Sequence, residues 1–424
     1  MDQAAVPAPA TRPAGSVGPA PDTAPRGFVL RLGLANFGLY SALMTPVIVT
    51  MALRVADVAP HRKEAVLGLV LGVGAVVAVI ANPLFGRLSD RTRSRFGRRR
   101  PWLVGGVLGG LLGLTVIAFV PSVPALVAGW ALVQAAFNAV YAALMATIPD
   151  QVPEAARGSA SGAIGTGLTA AVLAGSGIAA VTSDPRAMFL LPAVLTVVFV
   201  GWFVLRLADR PPAEPPEPFS PREFLASFVF DPRRSPDLGW AWLTKFLVIF
   251  GSVAPMTYLA YYLPFRMGLS AAATAGTVAL LVAGGYAVQS VMAAAGGWVS
   301  DRFGRRKPFV VAAGIVVAAG LALLALAPDL TWIVVAQLVM SVGGGLFYAV
   351  DMAMITQVLP DQANPAKDLG VINIANALPQ SLMPMIAPFV LATGGGENYP
   401  LLFGIAAAAA LAGSVLVTRI KGTR

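Results

Sequence analysis

Apolar stretches about as long as a bilayer-crossing helix follow one another along this chain of 424 residues, with brief polar interruptions between them. They cover 27–53, 64–88, 101–120, 122–148, 157–181 and 187–207, then 239–263, 271–299, 308–327, 331–356, 370–392 and 399–419. Turns such as Pro121-Ser122-Val123-Pro124 and Pro328-Asp329 separate neighbours. The pattern predicts an all-α integral membrane protein of twelve transmembrane helices. Two kinds of segment break it. Residues 1–26 are rich in Ala and Pro without periodicity and read as a disordered tail, with a second short tail at 420–424. Residues 208–238 form one long, proline-rich central loop between a six-helix bundle at 27–207 and another at 239–419. Within that loop Ser220-Pro221-Arg222-Glu223 is a capping box, and Phe224, Leu225, Phe228 and Val229 share a face, which predicts a short amphipathic helix at the membrane surface.

Composition agrees. Apolar residues make up 57% of the chain and charged residues 12%, with a mean hydropathy of +0.75, too apolar for a soluble protein of this size. The amino-terminal tail carries Asp2 and Asp22, and the apolar run behind it is too long for the core of a cleavable signal peptide. The net charge of +10 raises nucleic acid as a partner, but the positions of the charges exclude it. Threaded through twelve spans, 24 of the 30 Lys and Arg residues fall on one set of alternate loops and both tails. The positive-inside rule then puts both termini in the cytoplasm of a plasma or inner membrane. With no cysteine and only His61, disulfides and a Cys/His metal site are excluded, and no cofactor is expected.

A basic block occurs twice. Ser89-Asp90-Arg91-Thr92-Arg93-Ser94-Arg95-Phe96-Gly97-Arg98-Arg99-Arg100-Pro101-Trp102 is matched by Ser300-Asp301-Arg302-Phe303-Gly304-Arg305-Arg306-Lys307-Pro308-Phe309, with Arg95 and Arg302 207 residues apart. Gln151-Val152-Pro153 and Gln357-Val358-Leu359-Pro360 repeat at nearly the same offset. Such a repeat implies two pseudo-symmetric membrane halves. Gly86-x-x-x-Asp90-Arg91 and Gly297-x-x-x-Asp301-Arg302-x-Gly304-Arg305-Arg306-Lys307 resemble the loop signature of the major facilitator superfamily, and Asp150 to Arg157-Gly158 fits its pattern after span four. The expanded first copy is similar to that of the sucrose–proton and glycoside–pentoside–hexuronide:cation symporters. The resemblance implies that superfamily's fold, alternating-access transport and a monomer. It also implies a conformational latch at Gly86, Asp90, Arg91, Arg98, Asp150, Arg157, Gly297, Asp301, Arg302 and Arg305, where paired charges sit at helix ends and glycines allow close helix approach.

Polar residues inside the spans are costly and point to a cavity or a neighbouring helix. Several fall in one-face stripes: Asn36 and Tyr40; Gln134, Asn138 and Tyr141; Tyr258 and Tyr261, with Tyr262; Gln337, Tyr348 and Asp351; Asn373, Asn376 and Gln380. Four of these five stripes lie on spans one, four, seven and ten, which wall the central cavity in the family resembled. Amides and phenols suit a neutral polyhydroxylated solute. Lys245 and Asp351 are the ionisable residues well within the spans, at similar depth on the cytoplasmic side, and are expected to pair. When the pair opens, a carboxylate in apolar surroundings takes up a proton, which would couple protons to the cycle. The cation symporters carry carboxylates within span two. Val66 to Phe85 has none here, so proton coupling rests on Asp351.

The sequence thus predicts proton-coupled symport of a sugar or similar polar solute. Efflux of a drug or natural product is the competing reading, weakened by the lack of a Gly-Pro antiporter signature in span five. A membrane sensor has no attached domain to support it, a P-loop for ATP-driven pumping is absent, and no catalytic constellation is present, so an enzyme is not expected.

Overall fold

The computed structural model of the chain describes residues 24–153, 156–182, 184–209, 220, 235–303, 305–355, 358 and 366–421. The amphipathic helix expected after Ser220, most of Gln357–Pro360 and most of both tails lie outside the described residues, as do the side chains of Asp301 and Asn373. Among the described residues, twelve helices are long and apolar enough to cross a membrane. They are α1 (Phe28–Val58), α2 (Lys63–Arg91), α3 (Arg100–Phe119), α4 (Val123–Gln151), α5 (Arg157–Val181) and α6 (Pro185–Arg206). The second set is α7 (Pro236–Met267), α8 (Ala271–Phe303), α9 (Lys307–Leu326), α10 (Leu330–Ile355), α11 (Ala366–Leu391) and α12 (Tyr399–Leu416).

Local chemistry sets their ends. Ser122, Asp184 and Asn398 each accept a hydrogen bond from a backbone N–H in the first turn of α4, α6 and α12, with proline in that turn. Gly268, at φ 65°, takes the left-handed conformation that ends α7. α1 runs five residues past the expected end at 53, because Arg54 stays in the helix and spends its charge on a neighbour. Its Nε and Nη2 donate to Ile117 O (3.1 Å) and Ala118 O (3.3 Å) at the carboxyl end of α3, and Nη1 pairs with Asp57 (2.8 Å). Arg266, 212 residues later, does the same with Ala327 O beyond α9 (3.1 Å).

Within α1, Pro46 supplies no N–H to the carbonyl one turn back, and the ladder widens into a π segment over Pro46–Thr50 that closes with Met51 N–H donating to Pro46 O.

The repeat in sequence is a repeat in packing. α1 packs on α5 and α6, α2 on α4, and α3 on α4 and α6; α7 packs on α11 and α12, α8 on α10, and α9 on α10 and α12. The halves meet along two related seams, α2 with α11 and α5 with α8. α1 and α7 are innermost, with 72% and 78% of their apolar windows buried, whereas the other ten bury 22–44% and turn the remainder outward. Outward residues such as Leu108, Leu205, Leu280, Leu326 and Phe389 are the surface a bilayer would cover. Alternation of twelve spans gathers the described chain ends and both basic blocks at one end, called here the basic end; the other is the far end.

The glycine-rich helix α5 packs closely on α1 at some of its glycines and not at others. A methyl on Gly167 would run into Gly33 O (2.6 Å) and one on Gly175 into the Thr45 hydroxyl, both on α1. Gly162, Gly165 and Gly177 face open space.

Candidate functional site

A cavity of about 160 Å³ lies between α1, α7, α8 and α10, mostly against the second half. Ser252, Tyr286, Gln289, Gln337, Ser341 and Tyr348 supply its polar lining, and Ile48, Met256, Leu259, Val278 and Val282 its main apolar lining. Gly285 and Gly344 keep it open. A methyl on Gly285 would press on the Ser341 hydroxyl (2.9 Å) and the Gln337 amide (3.0 Å), and one on Gly344 would lie 3.5 Å from the Gln289 amide. No Asp, Glu, Lys, Arg or His is among the described lining residues.

One helical turn beyond Tyr348, toward the basic end, stands Asp351. Its Oδ2 lies 2.6 Å from Lys245 Nζ on α7, and both residues are enclosed, at 1% and 7% exposure. The other carboxylate oxygen, Oδ1, is buried with no hydrogen-bond partner, and the Thr244 hydroxyl beside Lys245 is also buried without one. An ion pair held out of water with an unsatisfied oxygen is stable only while the two charges stay together. Ser252, two turns along α7 from Lys245, and Tyr348 on α10 connect each member of the pair to the cavity wall along a helix face.

Of the residues singled out by spacing, Gln337 and Tyr348 line this cavity. The first-half stripes bond elsewhere. The Asn138 amide donates to Gln134 O (2.8 Å) and Oε1 (3.3 Å), and its Oδ1 accepts from Asn82 of α2 (3.4 Å). Tyr40 of α1 and Tyr141 of α4 meet edge to face at 5.9 Å. Asn36 donates to Leu32 O (2.9 Å) while its own Oδ1 is buried and unpartnered. On α11, Gln380 is exposed and donates to Asn376 O (3.1 Å). Ser252, Tyr286, Gln289 and Ser341 were not singled out. Tyr286 and Gln289 stand at i, i+3 in an otherwise apolar part of span eight, and the same search for polar stripes there would have found them.

Tyr258 and Tyr261 work at the far end, where the halves close on each other. Tyr261 hydroxyl donates to Ala52 O of α1 (2.8 Å), and Lys63 of α2 lies 5.4 Å above the Tyr261 ring and 3.6 Å from Glu397. Tyr258 donates to Pro384 O (3.0 Å), a carbonyl that lacks its helical donor because residue 388 is proline. α2 presses onto the same turn, since a methyl group on Gly68 would land on Pro384 O. These contacts seal the cavity from the far end.

Comparison with known proteins decides the family. The model of the Major Facilitator Superfamily matches residues 32–288 and 272–423, nearly the whole chain. The chain belongs to the major facilitator superfamily. A solved superfamily transporter for nucleosides, NupG, superposes with a TM-score of 0.73 at 14% identity, over 93% of this chain and 99% of that one, which establishes the shared fold. Curated relatives match shorter stretches. An uncharacterized symporter of Synechocystis, sll1374, is 46% identical over 57 residues, 13% of this chain and 10% of that protein. The human proton-associated sugar transporter A is 33% identical over 82 residues, 19% of this chain and 10% of its own length. The multi-drug resistance efflux pump PmrA of Streptococcus pneumoniae is 31% identical over 147 residues, 31% of this chain and 34% of the pump. The aligned part of this chain thus spans about a tenth of the length of the first two of these relatives.

The superfamily loop signature is, in its first copy, a charge cluster within one half. Arg99, 3% exposed, reaches Asp90 at the end of α2 (2.6 Å), Asp150 at the end of α4 (3.2 Å) and the Ser89 hydroxyl (2.7 Å). Arg98 also pairs with Asp150 (2.6 Å). Asp209, just past α6, accepts from the backbone N–H of Arg99 (2.7 Å) and Arg100 (2.8 Å) and so caps α3, a position open to it because Gly97, at φ 100°, has no side chain. Arg91 donates to Arg87 O (3.3 Å) and Arg157 to Val152 O (3.4 Å). Arg99 and Asp209 were absent from the expected set, because their partners come from separate helices. The close helix approach expected at Gly86 and Gly297 is not seen: a methyl group on either would sit 3.9 Å from Ala142 or 4.0 Å from Ala349, at ordinary contact distance. In the second copy Arg302 covers the Trp298 ring at 5.7 Å, and Arg305 is exposed.

Proposed function

We propose that the chain is a proton-coupled symporter that carries a small neutral polyhydroxylated solute, a sugar or a close analogue, by alternating access across a plasma or inner membrane. The observation that carries this reading is the buried Lys245–Asp351 pair one helical turn from the cavity residue Tyr348. Solute entering the cavity displaces the α10 turn that carries both Tyr348 and Asp351. The carboxylate then parts from Lys245 and, left alone in an apolar setting, binds a proton. Release of proton and solute restores the pair. The uncharged polar wall, and the partial likeness to proteins named as a symporter and as a proton-associated sugar transporter, support this reading. The basic end is proposed to face the cytoplasm, by the distribution of Lys and Arg, and the working unit to be a monomer.

Asp351→Asn, reconstituted in liposomes, tests the coupling. It should lose accumulation driven by an imposed proton gradient and keep solute exchange without a gradient. Gradient-driven accumulation at the wild-type level would refute the role given to Asp351. Export is the second reading, favoured by the apolar part of the cavity and by the likeness to an efflux pump. Under it, expression protects cells from a toxic compound and labelled sugar does not accumulate.

A further inference from the structure

Of the twelve helices α8 is the least enclosed by the protein, with 22% of its apolar window buried. The cavity takes Val278, Val282, Gly285 and Gln289 from one of its faces. Roughly opposite stand Leu280, Val291, Trp298 and Arg302, the last three at i, i+7 and i+11, and all four are exposed. On that outward side Ala287, Val288, Val291 and Met292 line an apolar groove of about 250 Å³. α8 has 33 residues where about 20 cross the hydrocarbon, so its last turns reach the polar boundary of a bilayer. Trp298, 64% exposed, is an aromatic side chain suited to that boundary, and the Arg302 guanidinium lies over its ring at 5.7 Å. From Val291 to Arg302 the helix rises about 16 Å, close to the depth of one hydrocarbon leaflet. Groove and guanidinium thus stand one acyl chain apart on a single outward face.

In the first basic block Arg98 is held by Asp150 at the end of α4 (2.6 Å), and Arg99 by Asp90 and Asp150. The counterpart of Arg98 is Arg305, and the residue in the place of Asp150, directly before Gln357, is Thr356. Among the described residues neither Arg302 nor Arg305 has a carboxylate within ion-pair distance, and both are exposed. In α2 the place of Trp298 is taken by Arg87, so an aromatic beside the cation belongs to the second half. We infer that α8 holds one anionic phospholipid from the leaflet at the basic end. Its phosphate sits on Arg302 and Arg305, and one acyl chain runs past Trp298 into the groove of Ala287, Val288, Val291 and Met292. The guanidinium groups offer paired N–H donors to phosphate oxygens, and the groove offers apolar contact with no polar group to desolvate. The lipid braces, from outside, the helix whose other face lines the cavity.

The test uses the full chain in nanodiscs of phosphatidylcholine with a rising fraction of phosphatidylglycerol, and reads binding as the rise in thermal midpoint against that fraction. The midpoint should climb and level off while phosphatidylglycerol is still the minor lipid. Arg302→Gln should weaken the apparent affinity about fivefold, the effect of one cation beside an anionic headgroup. Val291→Trp, which fills the groove and leaves every charge in place, should weaken it by a similar factor. Arg95→Gln removes an exposed charge of the first block and should leave the curve unchanged. An unaltered midpoint in pure phosphatidylcholine shows that each variant folds. Equal effects of Arg95→Gln and Arg302→Gln would mean that the general charge of the basic end gathers the lipid, and would overturn the inference. An unchanged curve for Val291→Trp would overturn it too, as would a midpoint indifferent to phosphatidylglycerol. So would the same rise produced in pure phosphatidylcholine by glycerol phosphate, which carries a phosphate without chains. Each of these results would leave the proposed transport standing.

Discussion

At the scale of single residues, two side chains that are costly in lipid hold each other in place. Lys245 and Asp351 lie 2.6 Å apart and enclosed, so removing one strands the other's charge, at about 3–5 kcal/mol for a buried pair. Lys245→Met should therefore lower the thermal midpoint much more than Lys245→Met combined with Asp351→Leu, whose apolar replacements leave no orphan. Equal loss in the single and double variants would mean that the pair does not bear on stability. Tyr258→Phe removes the hydroxyl that replaces the donor Pro388 denies to Pro384 O. It should cost about 1–3 kcal/mol of stability, the penalty of one unsatisfied buried carbonyl, read by thermal unfolding. The depth of Lys245 and Asp351 was legible by counting residues from the span ends. The use of the polar stripes was not. Spacing states which residues share a face, but Asn138 faces Asn82 and Tyr258 faces a proline-exposed carbonyl, and both partners come from other helices.

At the scale of elements, hydropathy predicted all twelve helices, and errors gathered where a charge stays inside one. Arg54 ended the first apolar run in sequence but not the helix, since the carboxyl end of α3 lies beside it to accept its N–H groups. The π segment was hidden for a different reason. Pro46 can kink a helix in several ways, and only packing selects a widened turn that presents Ile48 to the cavity. Pro46→Ala restores the missing N–H and should draw the segment back to α-helical register. The expected result is a slower uptake rate with an undiminished thermal midpoint. Uptake at the wild-type rate would show that the widened turn has no part in transport.

At the scale of the molecule, the repeat in sequence foretold two halves, and the packing follows it helix for helix, as does the Arg54 and Arg266 correspondence. The conformation was not legible, because under the proposed alternating access one sequence serves states open to either side, and the balance between them rests on a few contacts. Here the far end is closed by Tyr261 on Ala52, Lys63 on Glu397 and the seat of Gly68 against Pro384. A cycle of alternating access requires these contacts to open once per turnover. The chain contains no cysteine, so a pair introduced there reports without background. The decisive measurement is uptake by Lys63→Cys/Glu397→Cys in liposomes, before and after the two thiols are bridged by a bifunctional methanethiosulfonate of matching length and again after reduction. The account predicts that the cross-linked protein stops transporting and that a reductant restores it; transport at the full rate with the cross-link in place would contradict it.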